Sequence, residues 1–296
     1  MTHEPEIAAR LEACLASPPV AFHAVTGGYT QAGRARVELA RGETVFAKWA
    51  VDELSAGWLR DERRIYGRLE ADFVPRLVAW DEFRGALPLL VIEDLGAGLW
   101  PPPWSAALAE RGVDALRRVA ATPPPDGLGH LTAMEEGLRG WRALEPERER
   151  FLTLDVASRR WAERALPALL AAEEATSFEG EALLHLDARG DNMAFLPERV
   201  AFVDWNWACR GPAAIDVDYF AIHVHATGGP SPEELGAPGD FAALLVGYFA
   251  NQASLPPIPT APGVRPVQLQ HLLAALPWAA RTLGLEPPDG PLLAGS

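Results

Sequence analysis

The chain of 296 residues has almost no lysine. Of its 26 basic residues, only Lys48 is a lysine and all others are arginine. A chain that uses arginine for generic positive charge has kept one ammonium. That points to work a guanidinium does poorly, such as placing a compact charge against a phosphate. Cysteine is also scarce: Cys14 and Cys209 cannot supply a disulfide framework, so a reducing, cytoplasmic setting is expected. No run of about 18 apolar residues occurs, so no membrane span is expected. The opening stretch, MTHEPEIAARLEACL, has neither the basic flank nor the apolar core of a secretory signal. Positive charge is in deficit overall. A net charge of −14 disfavours a general nucleic-acid binder, which needs a basic face.

What is present is globular. Hydrophobic residues make up 49% of the chain and charged residues 22%, in a length that suits one large domain or two modest ones. Within it, Leu183–Asp204 (LLHLDARGDNMAFLPERVAFVD) reads as strand, polar loop, short strand, turn and strand. The loop holds His185, Asp187, Arg189 and Asn192, and the strand Val200–Val203 delivers Asp204. The pattern H-x-D-x-x-x-x-N, followed by a lone Asp after an apolar strand, is what a kinase needs. One carboxylate takes the proton of the attacking hydroxyl, while an amide and a second carboxylate hold magnesium. The bland alternative for H-x-D alone is a polar loop with a capping Asp. The added Asn and Asp favour phosphoryl transfer.

Upstream, Glu4–Leu15 has helical apolar spacing. Val20–Val25, Ala35–Leu39 and Glu43–Trp49 read as strands punctuated by Gly27-Gly28 and Arg41-Gly42, with Lys48 on the third. A helix is expected over Asp52–Leu69, then strands over Arg76–Trp80 and Leu87–Ile92. A Gly- and Pro-rich boundary follows at Gly96–Pro103. Beyond it, helices are expected over Trp104–Ala121, Leu131–Leu144, Glu147–Glu174 (kinked or split at Pro167), Ala213–His225, Pro232–Ala250 and Val267–Leu283. The fold class is therefore α+β and bilobal. Residues 1–96 are expected to form a small antiparallel five-stranded sheet with one helix, and residues 97–296 a larger, mainly helical lobe that carries the Asp187 loop and Asp204 and, by the resemblance described next, the acceptor site.

This arrangement resembles the protein-kinase-like fold, and within it the aminoglycoside phosphotransferase family, which includes choline and fructosamine kinases. Thr26–Ala50 is similar to that family's nucleotide loop and Lys strand. LLHLDARGDNMAF and VAFVDWNWACRGPAAID are similar to its catalytic and metal segments. The resemblance implies ATP, with GTP as the alternative, and Mg2+. It puts Lys48 on the α/β-phosphates, paired with Glu62 of E-x-x-x-Y-x-x-L; Asp61 and Glu53 are weaker choices. Asp187 would accept the acceptor's proton, and Asn192 and Asp204 would bind magnesium through oxygen. Arg189 would stabilise charge on the transferred group, or else form a structural salt bridge. His185 would orient the loop, and Asp216 would steady its backbone. The base would be read by the Glu93 carbonyl and the Leu95 amide, and Gly27 and Gly28 would let the loop approach the phosphates. Two positions depart from the family: Leu186 where Gly is frequent, and Asn206 where Glu is frequent.

A protein Ser/Thr kinase is disfavoured, because from Asp204 the chain reaches Gly211 and Asp216 with no room for an activation segment. A catalytically silent nucleotide-binding module would show loss of Lys48, Asp187, Asn192 or Asp204, and all four are present. The expected partner is a small-molecule alcohol. Family members use helices of the Phe241–Ala280 region as a wall of the acceptor site. The only charged residue there is Arg265, so the resemblance implies a less cationic alcohol than an aminoglycoside, with Trp278 as a lining residue; the alternative is that the stretch is buried helix packing. His223 and His225 do not share a helix face, being about 200° apart, and are not a metal pair. Trp205, Trp207 and Cys209 read as packing residues.

Overall fold

The computed structural model describes residues 4–25, 32–82 and 85–293. The chain begins with helix α1 (Glu4–Leu15). Strands β1 (Pro19–Ala24), β2 (Gly33–Leu39) and β3 (Thr44–Trp49) follow, then helix α2 (Glu53–Tyr66) and strands β4 (Leu77–Asp81) and β5 (Leu89–Glu93). Next come helices α3 (Ala106–Ala121), α4 (Glu135–Leu138), α5 (Gly140–Leu144), α6 (Arg148–Leu152) and α7 (Arg159–Ala175). Four short strands follow: β6 (Ala182–Leu184), β7 (Met193–Phe195), β8 (Val200–Phe202) and β9 (Cys209–Gly211). Helices α8 (Ala214–Ala226), α9 (Ala242–Ala253) and α10 (Val264–Thr282) complete the order. The α+β class with a five-stranded antiparallel sheet is as the sequence led us to expect. No helix of the described residues is long and apolar enough to cross a membrane.

The chain divides into two compact units. One comprises the described residues of Met1–Trp100 together with Asp191–Ala208. Its sheet has the order β1-β2-β3-β5-β4, antiparallel throughout. The two-residue alternation of strands sorts the side chains into two faces. Ala35, Val37, Val45, Ala47 and Val91 lie on one face and are buried against Ile7, Leu11 and Leu15 of α1. The opposite face carries Arg34, Arg36, Phe46, Lys48, Leu90 and Ile92, which the register brings side by side. The division at residue 96 drawn from composition assigns everything after it to a helical part, but the packing groups 191–208 with the sheet. The reasons are local. Phe195 bridges to Leu99, the Phe202 N–H donates to the Phe73 carbonyl at 2.8 Å, and the β7–β8 hairpin holds the segment rigid.

The second unit, Pro101–Gly190 with Cys209–Ser296, is built around a helical core that includes Trp141, Trp161, Leu244, Leu272 and Leu276. Three of its helices differ from the sequence expectation. Leu131–Leu144 is a 3-10 turn and two short helices, broken at Arg139 (φ −78, ψ 77). There α5 comes so close to α9 that a Cβ on Gly140 would fall 1.9 Å from the Gly247 carbonyl oxygen. Glu147–Glu174 breaks between α6 and α7, not at Pro167, which stays inside α7. Asp155 takes φ 54, and the Ser158 hydroxyl accepts from the Trp161 N–H to start the new helix. Pro232–Ala250 becomes helical only at Ala242. The Asp218 carboxylate accepts the Gly239 and Phe241 N–H groups (3.0 and 2.9 Å) and fixes that start. Trp278 is buried in the helical core at 3% exposure, so it packs rather than lining a site.

Since α1 is held by its apolar stripe, Leu11→Ala should destabilise the protein by about 3 kcal/mol. A urea midpoint unchanged from wild type would show that α1 does not cover the sheet.

Candidate active site

The sheet face that α1 leaves uncovered walls a cavity of about 350 Å³ within the first unit. Its lining includes Arg34, Arg36, Phe46, Lys48, Leu90, Ile92 and Glu93 from the sheet, Glu62 and Tyr66 from α2, Asp94, Leu95 and Trp100 past β5, and Asn192 and Asp204 from the hairpin. Asp94 ties down one rim. Its carboxylate accepts from Arg36 Nη2 (2.7 Å), Thr44 Oγ1 (2.8 Å) and the Gly96 N–H (2.9 Å). Burial pushes its pKa up, but these hydrogen bonds outweigh it and hold the carboxyl below its ordinary value. Gly27 and Gly28 lie outside the described residues.

Lys48 sits at the centre of this wall, 6% exposed, with its ammonium bonded to Glu62 Oε1 and Asp204 Oδ1. Helix α2 delivers Glu62 because Asp52 and Ser55 cap its start reciprocally, and Leu59, Glu62, Ile65 and Tyr66 then share the buried side. Asp61 pairs with Arg64 and Glu53 with Arg60, both away from Lys48. Burial is the largest single influence on each of the three groups, but it sets the net direction only for Glu62. It pushes the Glu62 carboxyl up to about 7, against the pull of Lys48. It also raises Asp204, but attraction and hydrogen bonding to Lys48 outweigh it and hold that carboxyl at about 2. The Lys48 ammonium is penalised by burial, yet its two carboxylates raise it overall. Asp204 has left-handed backbone (φ 64, ψ 51), a costly conformation for a non-glycine residue and a frequent mark of a functional position.

Asn192 and Asp204 are set by the hairpin between them: the Val203 N–H donates to the Asn192 carbonyl at 2.9 Å, continuing the Met193–Phe202 ladder. Among the described residues no cluster of three His, Cys, Asp or Glu side chains could hold a metal by itself. An amide oxygen and a carboxylate still fit magnesium, which takes one or two protein oxygens and completes its shell with phosphate and water. Asn206 is engaged elsewhere. With its amide turned to satisfy its neighbours, it donates to the Asp204 carbonyl (3.0 Å) and accepts from Trp207 Nε1 (3.2 Å). Trp205 is buried, whereas Trp207 is 49% exposed, so only the first is a core residue.

In the second unit, the loop after β6 carries Asp187 and Arg189. Asp216, near the start of α8, accepts the His185 N–H at 2.6 Å and the Leu186 N–H at 2.8 Å, one on each oxygen. Burial pushes its carboxyl up to about 6, opposed by those two amides. Leu186 takes φ 59 there, which explains why a glycine suits that position. His185 is fully buried, and its Nδ1 accepts the Asp187 N–H at 3.2 Å, so it orients the loop. Arg189 Nε lies 3.2 Å from Asp187 Oδ1. Cys209 is buried, and its thiol is pushed up to about 12 by burial and by the Asp216 charge, so it is inert. After Asp204 a 3-10 turn leads into β9 and then directly into α8, with no activation segment.

Several residues at these sites escaped the sequence reading. Arg34 and Arg36 share the Lys48 face, which the alternation of β2 could have shown. Tyr219 lies three residues past Asp216, hence on the same side of α8. It donates to Asp187 Oδ1 at 3.1 Å. His223 and His271 form a chain: His223 Nε2 accepts the Gly190 N–H (3.0 Å), His223 Nδ1 lies 3.1 Å from His271 Nε2, and His271 Nδ1 lies 2.7 Å from the Val267 carbonyl. A donor at one end and an acceptor at the other fix both rings as neutral, with a proton on each Nδ1. Burial, then the neighbouring charges, pull His223 down to about 3; burial pulls His271 down to about 4.

Removing the ammonium leaves two carboxylates facing each other, so Lys48→Ala should cost about 3 to 5 kcal/mol in urea unfolding. Adding Glu62→Gln should recover part of the loss; no recovery would separate Glu62 from the pair. Because the two histidine pKa values are depressed on folding, their stabilisation is present above pH 6.5 and is lost as pH falls towards 3. Each should account for about 2 kcal/mol between pH 7.5 and 5. The His223→Gln/His271→Gln double variant should therefore lose less stability over that interval than wild type. Equal losses would contradict the neutral chain.

Comparison with known proteins follows this geometry. No curated protein matches the chain. Among solved structures, choline kinase LicA from Streptococcus pneumoniae superposes with a TM-score of 0.62 at 12% identity, covering 92% of this chain and 99% of that one. A thermostable mutant of aminoglycoside phosphotransferase APH(4)-Ia, in ternary complex with AMP-PNP and hygromycin B, gives a TM-score of 0.58 at 14% identity, over 94% and 96%. A putative fructosamine-3-kinase from Thermobifida fusca gives 0.52 at 18% identity, over 91% and 98%. At these identities the likeness is one of fold. Residues 21–249 match the model of the phosphotransferase enzyme family APH, so the chain belongs to that family and carries its kinase-like fold.

Proposed function

We propose that the protein transfers the γ-phosphate of ATP to a hydroxyl of a small acceptor. The observation that carries this reading is the buried Lys48 ammonium between Glu62 and Asp204 on the wall of the first unit's cavity, with Asn192 beside them. Lys48, oriented by Glu62, contacts the α/β-phosphates. The backbone of Glu93 and Leu95 reads the base, and Gly27 and Gly28 admit the phosphates. Asn192 and Asp204 would hold Mg2+, which when bound would offset the phosphate charge. Neighbouring structures crystallised with ADP or AMP-PNP support a nucleotide in this fold. GTP is the alternative nucleotide, told apart by competition binding.

In the transfer, Asp187 accepts the proton of the acceptor hydroxyl as that oxygen bonds to the γ-phosphorus. The bond from phosphorus to the bridging oxygen breaks, and ADP leaves with the electron pair. Arg189 stabilises charge on the moving group. The acceptor is a small alcohol less cationic than an aminoglycoside. Arg265 is the only charged residue between Phe241 and Ala280, and it donates to the neutral oxygens of Pro256, Gln252 and Gln268.

Asp187→Asn should keep Mg2+-dependent ADP binding, read by thermal shift, and lower kcat by about 10²- to 10⁴-fold. Undiminished transfer would remove Asp187 from this role. In an acceptor screen, neutral and singly charged alcohols should outperform polyamine sugars; the reverse order would overturn the acceptor assignment. Nucleotide binding without turnover of any acceptor would mark a silent binding module instead.

A further inference from the structure

Behind the Asp187 loop stand aromatic side chains from three helices of the second unit. The rings of Tyr219 (α8) and His271 (α10) are stacked, 6.1 Å between centroids and 12° between planes. Phe249 of α9 stacks on His271 at 5.0 Å and 24°, and His223 of α8 at 5.3 Å and 26°. Two polar contacts leave this stack for the loop. The Tyr219 phenol donates to Asp187 Oδ1 (3.1 Å), and His223 Nε2 accepts the Gly190 N–H (3.0 Å) three residues further on.

We propose that Tyr219 is a positioning residue for phosphoryl transfer: its phenol fixes the Asp187 carboxylate, while the His223–His271 pair fixes the same loop at Gly190. The inference rests on the reading of Asp187 as the proton acceptor. A carboxylate rotates freely about its terminal torsion, and a displacement of about 1 Å in a catalytic group can cost 10²-fold in rate. Here one oxygen of Asp187 is met from two sides, by the Tyr219 hydroxyl and by Arg189 Nε at 3.2 Å. Burial, then the Asp187 charge, raise the Tyr219 phenol well above its ordinary value, so it remains a donor. Donation to the ionised carboxyl also favours its charged form, the form that accepts a proton. The far end of the stack is equally committed, because a protonated His223 would turn an N–H towards the Gly190 N–H. The loop is thus held at two points by groups whose protonation states are set by burial.

Tyr219→Phe removes one hydroxyl and keeps the ring on His271, so the fold and nucleotide affinity should persist. We expect kcat to fall about tenfold or more with the nucleotide KM unchanged, and the acid limb of the kcat profile to move to higher pH. A kcat and acid limb equal to wild type would overturn the proposal. So would losses that track melting temperature with no pH shift, which a purely structural tyrosine would give. If wild type transferred phosphate to no acceptor, the functional reading would fail, but this inference could still be decided. The Asp187 ¹³Cγ resonance, assigned by its absence in Asp187→Asn, should titrate at higher pH in Tyr219→Phe. Coincident titrations would overturn it.

Discussion

The first unit depends on one buried ammonium held between two carboxylates. Burying the Lys48 ammonium beside Glu62, with Asp204 partly exposed, is expensive, and it is sustained because the geometry lets Lys48 reach both carboxyls. The surroundings follow from that requirement. Strand β3 must end its alternation with Lys48 on the face away from α1, α2 must present Glu62 on its buried side, and Asp204 must take a left-handed backbone. Replacing a buried ionic group by well-packed apolar side chains of similar volume is often neutral or stabilising. Stability alone therefore does not account for these charges.

The second unit uses buried polarity differently. Asp216, Asp218 and the two histidines meet backbone amides, carbonyls or one another, and they fix the course of loops more than they add to the core. Each is satisfied by several partners, the condition under which buried polar groups specify a single conformation. The apolar core around Trp141 and Trp161 supplies the bulk stabilisation, and these bonds set where the loop residues lie.

Much of this was legible in the sequence because it rests on short-range pattern. The strands read out from β-branched and apolar alternation, and Lys48 announced itself by the rarity of its type. Glu62 is preferred to Asp61 and Glu53 because E-x-x-x-Y-x-x-L resembles the family's helix pattern, and α2 does bury Glu62 and Tyr66 together. The helix breaks at Arg139 and near Asp155 were not legible. Both residues are ordinary in a helix, and the breaks answer to a close approach between Gly140 and Gly247 and to the cap at Ser158. The reassignment of 191–208 to the sheet unit and the histidine chain depend on contacts between residues far apart in sequence, which no local period encodes. Pro167 misled for the opposite reason: a local rule was overridden by a helix whose buried side includes Trp161, Ala165 and Leu169.

The rarity of lysine gives the most direct test of the central claim, that the Lys48 ammonium is the protein's contact with nucleotide phosphates. In protein labelled with ¹⁵N at lysine Nζ, a single side-chain resonance will be present, that of Lys48. The account predicts that this resonance shifts on addition of ADP with Mg2+ and stays unmoved on addition of adenosine. A resonance unaffected by saturating nucleotide would contradict it.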